Sequence, residues 1–306
     1  MINAIIGQTA SGKSTLALKL AKRFGLCVVS LDSLSVYKGV DIASAKPKKE
    51  DLSEVKHYGI DVLNPNEKCN AKIFLDILNE VCKIVPHDKI LIVGGSSFYL
   101  KSIIDGLSFM PKSSKIVESF IDKITQNKAE SYKILCQIDA TFAKKINPND
   151  KFRIAKALQI YAITNEIPSV FFANNKKERF PFKINIYELV KPKECLKHDI
   201  IVRTEAMFEA GLVDEVENLY KNWEQSQVFK AIGIKEIIAF LKGDLSQSEA
   251  KEAIIKNTIA LAKRQRTFNR TQFGDILHLE AQSLEQTLTH FYLAKTSKIT
   301  AGSTNG

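Results

Sequence analysis

The feature that most constrains this chain is a glycine-rich segment near its N-terminus, flanked by two apolar runs. The segment reads Gly7, Gln8, Thr9, Ala10, Ser11, Gly12, Lys13, Ser14. The run 2–6 before it is apolar apart from Asn3, and residues 16–18 after it are apolar, which predicts a strand, a loop and a helix in that order. A chain that begins in this way is expected to fold around a parallel sheet.

The spacing of the glycines, the lysine and the serine is typical of a P-loop, whose backbone N–H groups surround a phosphate. The helix that follows adds the positive end of its dipole at the same point. We expect Lys13 to reach the outer phosphate oxygens and the Ser14 hydroxyl to bind Mg²⁺. The loop therefore predicts an anion site, and leaves open whether a nucleotide or another diphosphate occupies it.

Composition places the chain among ordinary globular proteins, with 306 residues, 45% hydrophobic and 25% charged. No run is apolar enough to span a membrane, and the first strand leaves no room for a signal peptide, so we expect a cytoplasmic protein. Because no exposed apolar stripe demands a partner, we expect a monomer. The cysteines number five and are scattered. They are expected to be reduced and mostly buried, in neither a disulfide nor a metal site.

The net charge of +10 is concentrated in the middle of the chain, where residues 111–184 carry 14 Lys and Arg against 7 Asp and Glu. Such a basic segment is typical of proteins that bind a polyanion. A lysine-rich solvated surface would have the same composition. Charge alone leaves both interpretations open.

Two further apolar runs end in residues that can carry chemistry. Residues 26–31 end at Asp32, which is expected to lie across the crevice from the P-loop, either as a general base or Mg²⁺ ligand or as a helix N-cap. Residues 90–93 end at Gly94, Gly95 and Ser96. The absence of aspartate there argues against a motor or switch ATPase, and the glycines suggest that a flat group approaches the backbone.

The pattern as a whole predicts an α/β fold, a P-loop-type parallel sheet flanked by helices, with an all-helical insertion lobe. Residues 1–110 and 181–295 form the predicted catalytic domain, 111–180 the helical insertion, and 296–306 a disordered tail. A long helix predicted over 246–270 has one apolar face with Ile254, Leu261 and Phe268, expected to pack. The opposite face carries Lys256, Lys263 and Arg270, with no acidic residue between the first and the last, as expected of a phosphate-contacting surface.

The chain resembles the bacterial tRNA dimethylallyltransferases over residues 7–270. The motifs that carry the resemblance are the P-loop; Asp32-Ser33 through Val36-Tyr37 to Ala45-Lys46-Pro47; Val93-Gly94-Gly95-Ser96 with Tyr99-Leu100; Asp150 with Arg153-Ile154; Arg203 with Met207 and Gly211-Leu212; Ala231-Ile232-Gly233; and Ala262-Lys263-Arg264-Gln265. A P-loop alone occurs in many families, whereas this ordered set is far more specific.

The resemblance implies transfer of a dimethylallyl group from dimethylallyl diphosphate to N6 of the adenosine just 3′ of a tRNA anticodon. The P-loop would then hold the diphosphate leaving group, neutralised by Lys13, Arg203 and Mg²⁺ near Ser14, and Asp32 would be the general base. Contacts to the target nucleotide are implied for Asp32, Ser33, Leu34, Ser35 and Ser96. Contacts to the anticodon stem and loop are implied for Phe152, Arg153, Ile154, Ala155 and Lys156, with the basic helical faces.

Two departures from the family pattern bear on the site. Gln8 stands where the family usually has proline, a change expected to loosen the start of the loop slightly. Asp199 falls where arginine is common, so no RNA contact is expected from it.

A small-molecule kinase remains the main alternative, since a P-loop and a carboxylate after the second strand also suit ATP and a hydroxyl acceptor. A non-catalytic RNA-binding module, using only the basic faces, is a third hypothesis.

Replacing Lys263 and Arg270 together with alanine should weaken RNA binding, because each cation that neutralises a phosphate releases counterions from the RNA. We expect the slope of log affinity against log salt to flatten by roughly one unit for each neutralised phosphate that the variant no longer binds. Binding isotherms at several salt concentrations measure this, with Lys72→Ala plus Lys83→Ala as the control that removes equal charge elsewhere. An unchanged slope would place the two side chains away from the RNA.

Overall fold

A computed structural model describes residues 1–175, 177, 179–223, 226–274 and 276–302 of the chain. The chain forms two compact units: one runs up to Ile104 and resumes at Pro181, and the other is Asp105–Phe180. The helical segment predicted from the sequence starts six residues later, at residue 111, and ends at the same residue, 180.

The larger unit is built on one sheet of six parallel strands in the order β3-β2-β4-β1-β5-β6. The strands are β1 Ile2–Gly7, β2 Cys27–Ser30, β3 His57–Tyr58, β4 Ile90–Gly94, β5 Ile184–Leu189 and β6 Leu277–Leu279. The α-helices are α1 Lys13–Phe24, α2 Lys49–Glu54, α3 Ala71–Ile84, α4 Ser97–Asp105, α5 Lys115–Ile124, α6 Lys128–Ile138, α7 Ala140–Ala143, α8 Lys151–Thr164, α9 Pro168–Asn174, α10 Lys193–Glu209, α11 Leu212–Asn222, α12 Ile234–Leu241, α13 Gln247–Gln272 and α14 Ala281–Gly302.

The central strands are buried along their whole length, β1 and β4 at every residue. This agrees with their sequences, which are apolar apart from Asn3, because a parallel sheet is covered by helices on both faces. In the sheet register Ile5 lies opposite Val93 on one side and Tyr187 on the other. The carboxyl ends of β1, β2 and β4 therefore meet at one edge, where a ligand site is expected in such a sheet.

A buried polar contact joins the last helix to the first strand. Asn3 is fully buried in β1 and donates through Nδ2 to the Tyr292 hydroxyl of α14 over 2.9 Å. Its Oδ1 accepts from Nδ2 of Asn185 in β5 over 3.1 Å. Around it, Leu284 and Leu288 of α14 belong to the same core cluster as the residues of α1 and β1. The C-terminal helix thus covers one face of the sheet.

The smaller unit contains helices and no strand among its described residues. Side chains that accept hydrogen bonds from the first turn start four of its helices, namely Ser114, Asn127, Asp139 and Asp150. Its core includes Ile121, Leu135 and Leu158. The predicted fold class, an α/β parallel sheet of P-loop type with an all-helical insertion, is confirmed.

The cysteines are free as predicted, but the expectation that most are buried is wrong. Cys27 lies in the buried sheet, whereas Cys69, Cys82 and Cys136 are half-buried and Cys195 is exposed. Residue type alone did not give their exposure because four of the five lie in helices or loops that face solvent on one side.

The last helix extends further than the sequence predicts. α14 reaches Gly302, through the first part of the segment from residue 296 that was expected to be disordered, and residues 303–306 lie outside the described residues. Among the helices described, including this one of 22 residues, none combines the length and the apolar character that crossing a bilayer requires.

Gly94→Ala should destabilise the protein, because the added Cβ would lie 2.0 Å from the backbone carbonyl oxygen of Leu31. Backbone must move to admit it, and we expect the free energy of unfolding to fall by about 3 kcal/mol. Denaturant titration measures the change. Gly274→Ala is the matched control, since a Cβ there meets nothing within 4 Å; equal stabilities for the two variants would contradict the packing argument.

Candidate active site

The P-loop connects β1 to α1, and its backbone enters the left-handed region twice. Ala10 has a φ of 60° and Gly12 a φ of 92°, and α1 begins at the next residue, Lys13. Gly7 has no room for a side chain, because a Cβ would lie 2.5 Å from the Leu189 carbonyl oxygen. A loop bent in this way in front of a helix is suited to hold an anion with its backbone N–H groups.

Lys13 is a buried cation at this loop. Its Nζ donates a hydrogen bond of 2.6 Å to the Gln8 carbonyl oxygen. Burial lowers the pKa of Lys13 from 10.5 to about 8, opposed by the charge of Asp32 and reinforced by that of Arg203. A desolvated ammonium gains most from an anion that arrives beside it, so Lys13 is poised to bind one.

A second cation reaches the loop from α10. Arg203 donates through Nη1 to the Thr9 hydroxyl over 3.3 Å. Desolvation lowers the pKa of Arg203 and the charge of Asp32 raises it. Because arginine ionises far above neutral pH, the side chain stays charged. Lys13 and Arg203 therefore place two positive charges at the end of the cavity that holds the loop.

Two glutamines join the P-loop to α13. Gln8 is buried and donates through Nε2 to the Ala262 carbonyl oxygen over 3.0 Å. The Gln265 side chain accepts from the Thr9 N–H over 2.8 Å and donates to the Gly95 carbonyl oxygen over 3.0 Å. The expectation that Gln8 loosens the loop is wrong, since its side chain ties the loop to a helix. Gln265 was not predicted as a site residue, although it stands in a motif of the resemblance.

Asp32 follows β2 and faces the same cavity. Its Oδ1 accepts from the N–H groups of Leu34 and Ser35 over 2.8 and 3.2 Å. These bonds stabilise a turn, and no helix starts here, so Asp32 is not the helix N-cap of the alternative interpretation. Nearby, the Ser33 N–H donates to the Ser96 hydroxyl over 3.2 Å and connects this turn to the end of β4. One carboxylate oxygen is thus structural, and the other can accept a proton.

The glycines after β4 are required by the protein itself. Besides the contact of Gly94 with Leu31, a Cβ on Gly95 would lie 2.6 Å from Nε2 of Gln265. The interpretation that a flat ligand approaches the backbone here is therefore not needed. Close packing of β2 and α13 against the end of β4 accounts for both glycines.

These residues surround one cavity of about 1220 Å³. It exceeds the usual volume of a small-molecule site, roughly 300–1,000 Å³, and so has room for two substrates. The predicted site residues that line it are Thr9, Ala10, Ser11, Gly12, Lys13, Ser14, Asp32, Ser33, Leu34, Ser35, Ser96 and Arg203. Gly7, Gln8, Lys263 and Arg270 do not line the cavity. Gly7 packs against the Leu189 carbonyl, and Gln8 is hydrogen-bonded to α13.

Two other ionisable side chains share the wall near Asp32. Burial raises the pKa of the Cys69 thiol to about 11. Burial, together with Cys69, raises the pKa of Tyr99 above its ordinary range. Both groups therefore remain protonated at neutral pH.

The two faces of α13 differ in burial from what the sequence predicts. Ile254 is buried and Leu261 and Phe268 are half-buried, and all three line the cavity, so the face expected to pack within the protein faces the site. The periodicity of the sequence correctly identified the apolar face of α13. It could not show whether that face contacts other side chains or the cavity. Lys263 and Arg270 are exposed, and neither takes part in an ion pair within the described part of the chain.

In the helical unit, the predicted RNA-contacting residues at the start of α8 fall into two groups. Phe152 is 68% exposed, and Arg153 is exposed beside Asp150, 3.4 Å away. Ile154 is fully buried and cannot contact RNA, so its assignment was wrong; the helical period turns it toward the core of the unit. Ala155 packs against that core, and Lys156 Nζ donates a hydrogen bond of 2.9 Å to Gln159 Oε1.

Comparison with known proteins gives consistent matches along the chain. A family model described as IPP transferase matches residues 35–272. A tRNA dimethylallyltransferase of Nautilia profundicola is 45% identical over 285 residues, 92% of this chain and 97% of that protein. One of Helicobacter pylori strain J99 is 44% identical over 274 residues, which cover 89% of this chain and 88% of the relative.

Solved structures agree with these sequence matches. A full-length tRNA isopentenylpyrophosphate transferase from Bacillus halodurans is 26% identical with a TM-score of 0.67, covering 98% of this chain and 99% of that one. A eukaryotic dimethylallyltransferase acting on tRNA is 26% identical with a TM-score of 0.78, and the match covers 93% of this chain and 75% of that one.

The lowered pKa of Lys13 predicts that binding of an alkyl diphosphate weakens at alkaline pH. In the free protein Lys13 loses its proton as the pH rises through about 8, whereas the bound anion requires the charged form. We expect affinity to fall about tenfold between pH 7 and pH 9. Isothermal titration calorimetry measures it, with Lys13→Met as the control that binds weakly at both values. Equal wild-type affinity at the two pH values would contradict the assignment.

Proposed function

Because the chain belongs to the IPP transferase family, we propose that it is a tRNA dimethylallyltransferase that uses dimethylallyl diphosphate. The acceptor is N6 of the adenosine 3′-adjacent to the anticodon, and the product is N6-isopentenyladenosine. The observation that carries the proposal is the pairing of functions in one cavity: two cations at an anion-binding loop, Lys13 and Arg203, and a carboxylate, Asp32, whose charge acts on both.

The P-loop end of the cavity would hold the diphosphate. In the reaction the bond between C1 of the prenyl group and the bridging oxygen breaks, and its electron pair leaves with the diphosphate. The charge on that oxygen grows as the bond lengthens. Lys13 and Arg203, already desolvated, stabilise the departing group more than the bound donor, which is the condition for lowering the barrier.

Mg²⁺ is proposed as the accompanying ion. Among the described residues no cluster of three His, Cys, Asp or Glu side chains could hold a metal by itself. Mg²⁺ commonly binds through few protein oxygens together with substrate phosphates and water, and the exposed Ser14 hydroxyl beside Lys13 fits that mode. When bound, the ion would add charge neutralisation at the diphosphate.

Asp32 would take the proton from the adenine amino group. The amino group is a weak nucleophile, so removal of its proton while the N6–C1 bond forms lowers the barrier. The turn that holds Oδ1 on two N–H groups fixes the orientation of the carboxylate. Ser33 and Ser96, which share a hydrogen bond beside it, are positioned to contact the base.

The acceptor base must leave its stack to reach this cavity, as in other enzymes that modify bases within folded nucleic acids. We propose that the exposed cationic face of α13 holds the phosphates of the anticodon stem and loop, and that the basic helical unit, with exposed Phe152 and Arg153, contributes further contacts. A cytoplasmic location is part of this proposal. Nothing in the comparisons supports the kinase alternative.

Asp32→Asn separates the structural role of this residue from its chemical role. Asparagine retains an oxygen that can accept from the Leu34 and Ser35 N–H groups, but it cannot take the proton. We expect single-turnover prenyl transfer to slow by about 10²- to 10⁴-fold, with RNA affinity within a few-fold of wild type.

The assay contains purified protein, unmodified tRNA, dimethylallyl diphosphate and Mg²⁺, and Asp32→Ala serves as the comparison that also removes the turn contacts. A transfer rate for Asp32→Asn close to that of the wild type would refute the base assignment. Absence of prenyl incorporation by the wild-type protein would refute the proposed function itself.

A further inference from the structure

We propose that Phe98 and Phe268 form an aromatic platform at the rim of the cavity, on which a nucleobase next to the target adenosine stacks. The inference rests on the proposed function, because it adds a second base contact for the same RNA. It gives a binding role to two rings that the transfer chemistry does not use.

The platform is made of one exposed ring supported by others. Phe98, in the first turn of α4, lines the cavity and is 59% exposed. Its ring centroid lies 6.2 Å from that of Phe268 in an edge-to-face arrangement, and 5.9 Å from that of Tyr99. Phe268 in turn packs edge-on against Phe273. The supporting rings fix Phe98 while one of its surfaces stays open to solvent.

The charges around this platform favour a nucleic acid. Arg264 lies one helical turn before Phe268, is exposed and lines the cavity. Within the described part of the chain, Arg264 takes part in no ion pair. A flat apolar surface beside an unpaired arginine is the combination that binds unstacked bases and their phosphates.

The exposure of Phe98 distinguishes a base from the prenyl group as its partner. A developing prenyl cation has to be kept from water, and a ring that is more than half exposed cannot do this. The rings that are shielded from solvent, such as Tyr37 at 2% exposure, are better suited to that part of the cavity. A neighbouring base also loses its stacking partner when the target adenosine leaves the loop, and the platform supplies a replacement.

The stacking contact can be tested by pairing a protein change with an RNA change. Phe98→Leu keeps an apolar side chain but removes the aromatic face, and should weaken binding of a short anticodon hairpin RNA about tenfold. An abasic nucleotide on one side of the target adenosine should weaken wild-type binding by a similar factor. Combined, the two changes should cost little more than either alone, because they remove the same contact.

Phe98→Trp should bind the hairpin as well as the wild type, and Ile84→Ala, which truncates a 69% exposed side chain on α3, is the control for the removal of apolar surface. The apparent KM for dimethylallyl diphosphate should not change in Phe98→Leu. As a measurement that needs no variant, 2-aminopurine beside the target should lose fluorescence when the wild-type protein binds.

Additive losses at both neighbouring positions, or fluorescence that does not change at either, would overturn the platform. A raised KM for the donor with unaltered RNA binding would place Phe98 against the prenyl group instead, which also overturns it. These binding results are independent of turnover, so failure of the proposed transfer reaction would be recognised separately, by the absence of prenyl incorporation in the wild-type protein.

Discussion

The active site depends on the side-chain amide of Gln265, which bonds two backbone groups at once. It accepts from the Thr9 N–H and donates to the Gly95 carbonyl oxygen, so that α13, the P-loop and the end of β4 are held together. The bond from Gln8 to the Ala262 carbonyl oxygen adds a second link one turn earlier on α13. Only a group with both a donor and an acceptor can make the bridge. α13, with its exposed cations and Phe268, is thereby fixed relative to the P-loop, the proposed diphosphate site.

The proposed transfer makes use of two desolvated cations in the cavity. Lys13 and Arg203 are desolvated, which costs free energy in the empty protein and is offset when an anion arrives. In the proposed reaction negative charge increases on the diphosphate as the prenyl bond breaks, so the same two cations would interact most strongly at the transition state. Asp32 adds a carboxylate whose charge moderates this field, and it is the proposed acceptor of the proton from N6.

Local patterns in the sequence were sufficient for β1, β2 and β4, the P-loop and the placement of Asp32, because each depends on neighbours along the chain. The bridge by Gln265 could not be predicted, since its partner Thr9 lies 256 residues away. Gly94 was attributed to a ligand when the neighbouring strand explains it, and Phe268 was assigned to packing when it faces the cavity. Ile154 shows the converse: a position taken from a family motif proved to be core, because helical period decides exposure.

The central claim is that the P-loop holds a diphosphate leaving group rather than a nucleoside triphosphate. Competition in the transfer assay tests it most directly, with dimethylallyl diphosphate and unmodified tRNA held near their KM values while ATP is added. The account predicts that inorganic diphosphate inhibits competitively against the donor and that ATP inhibits far more weakly. Tight competitive inhibition by ATP, together with phosphoryl transfer to an acceptor, would contradict it.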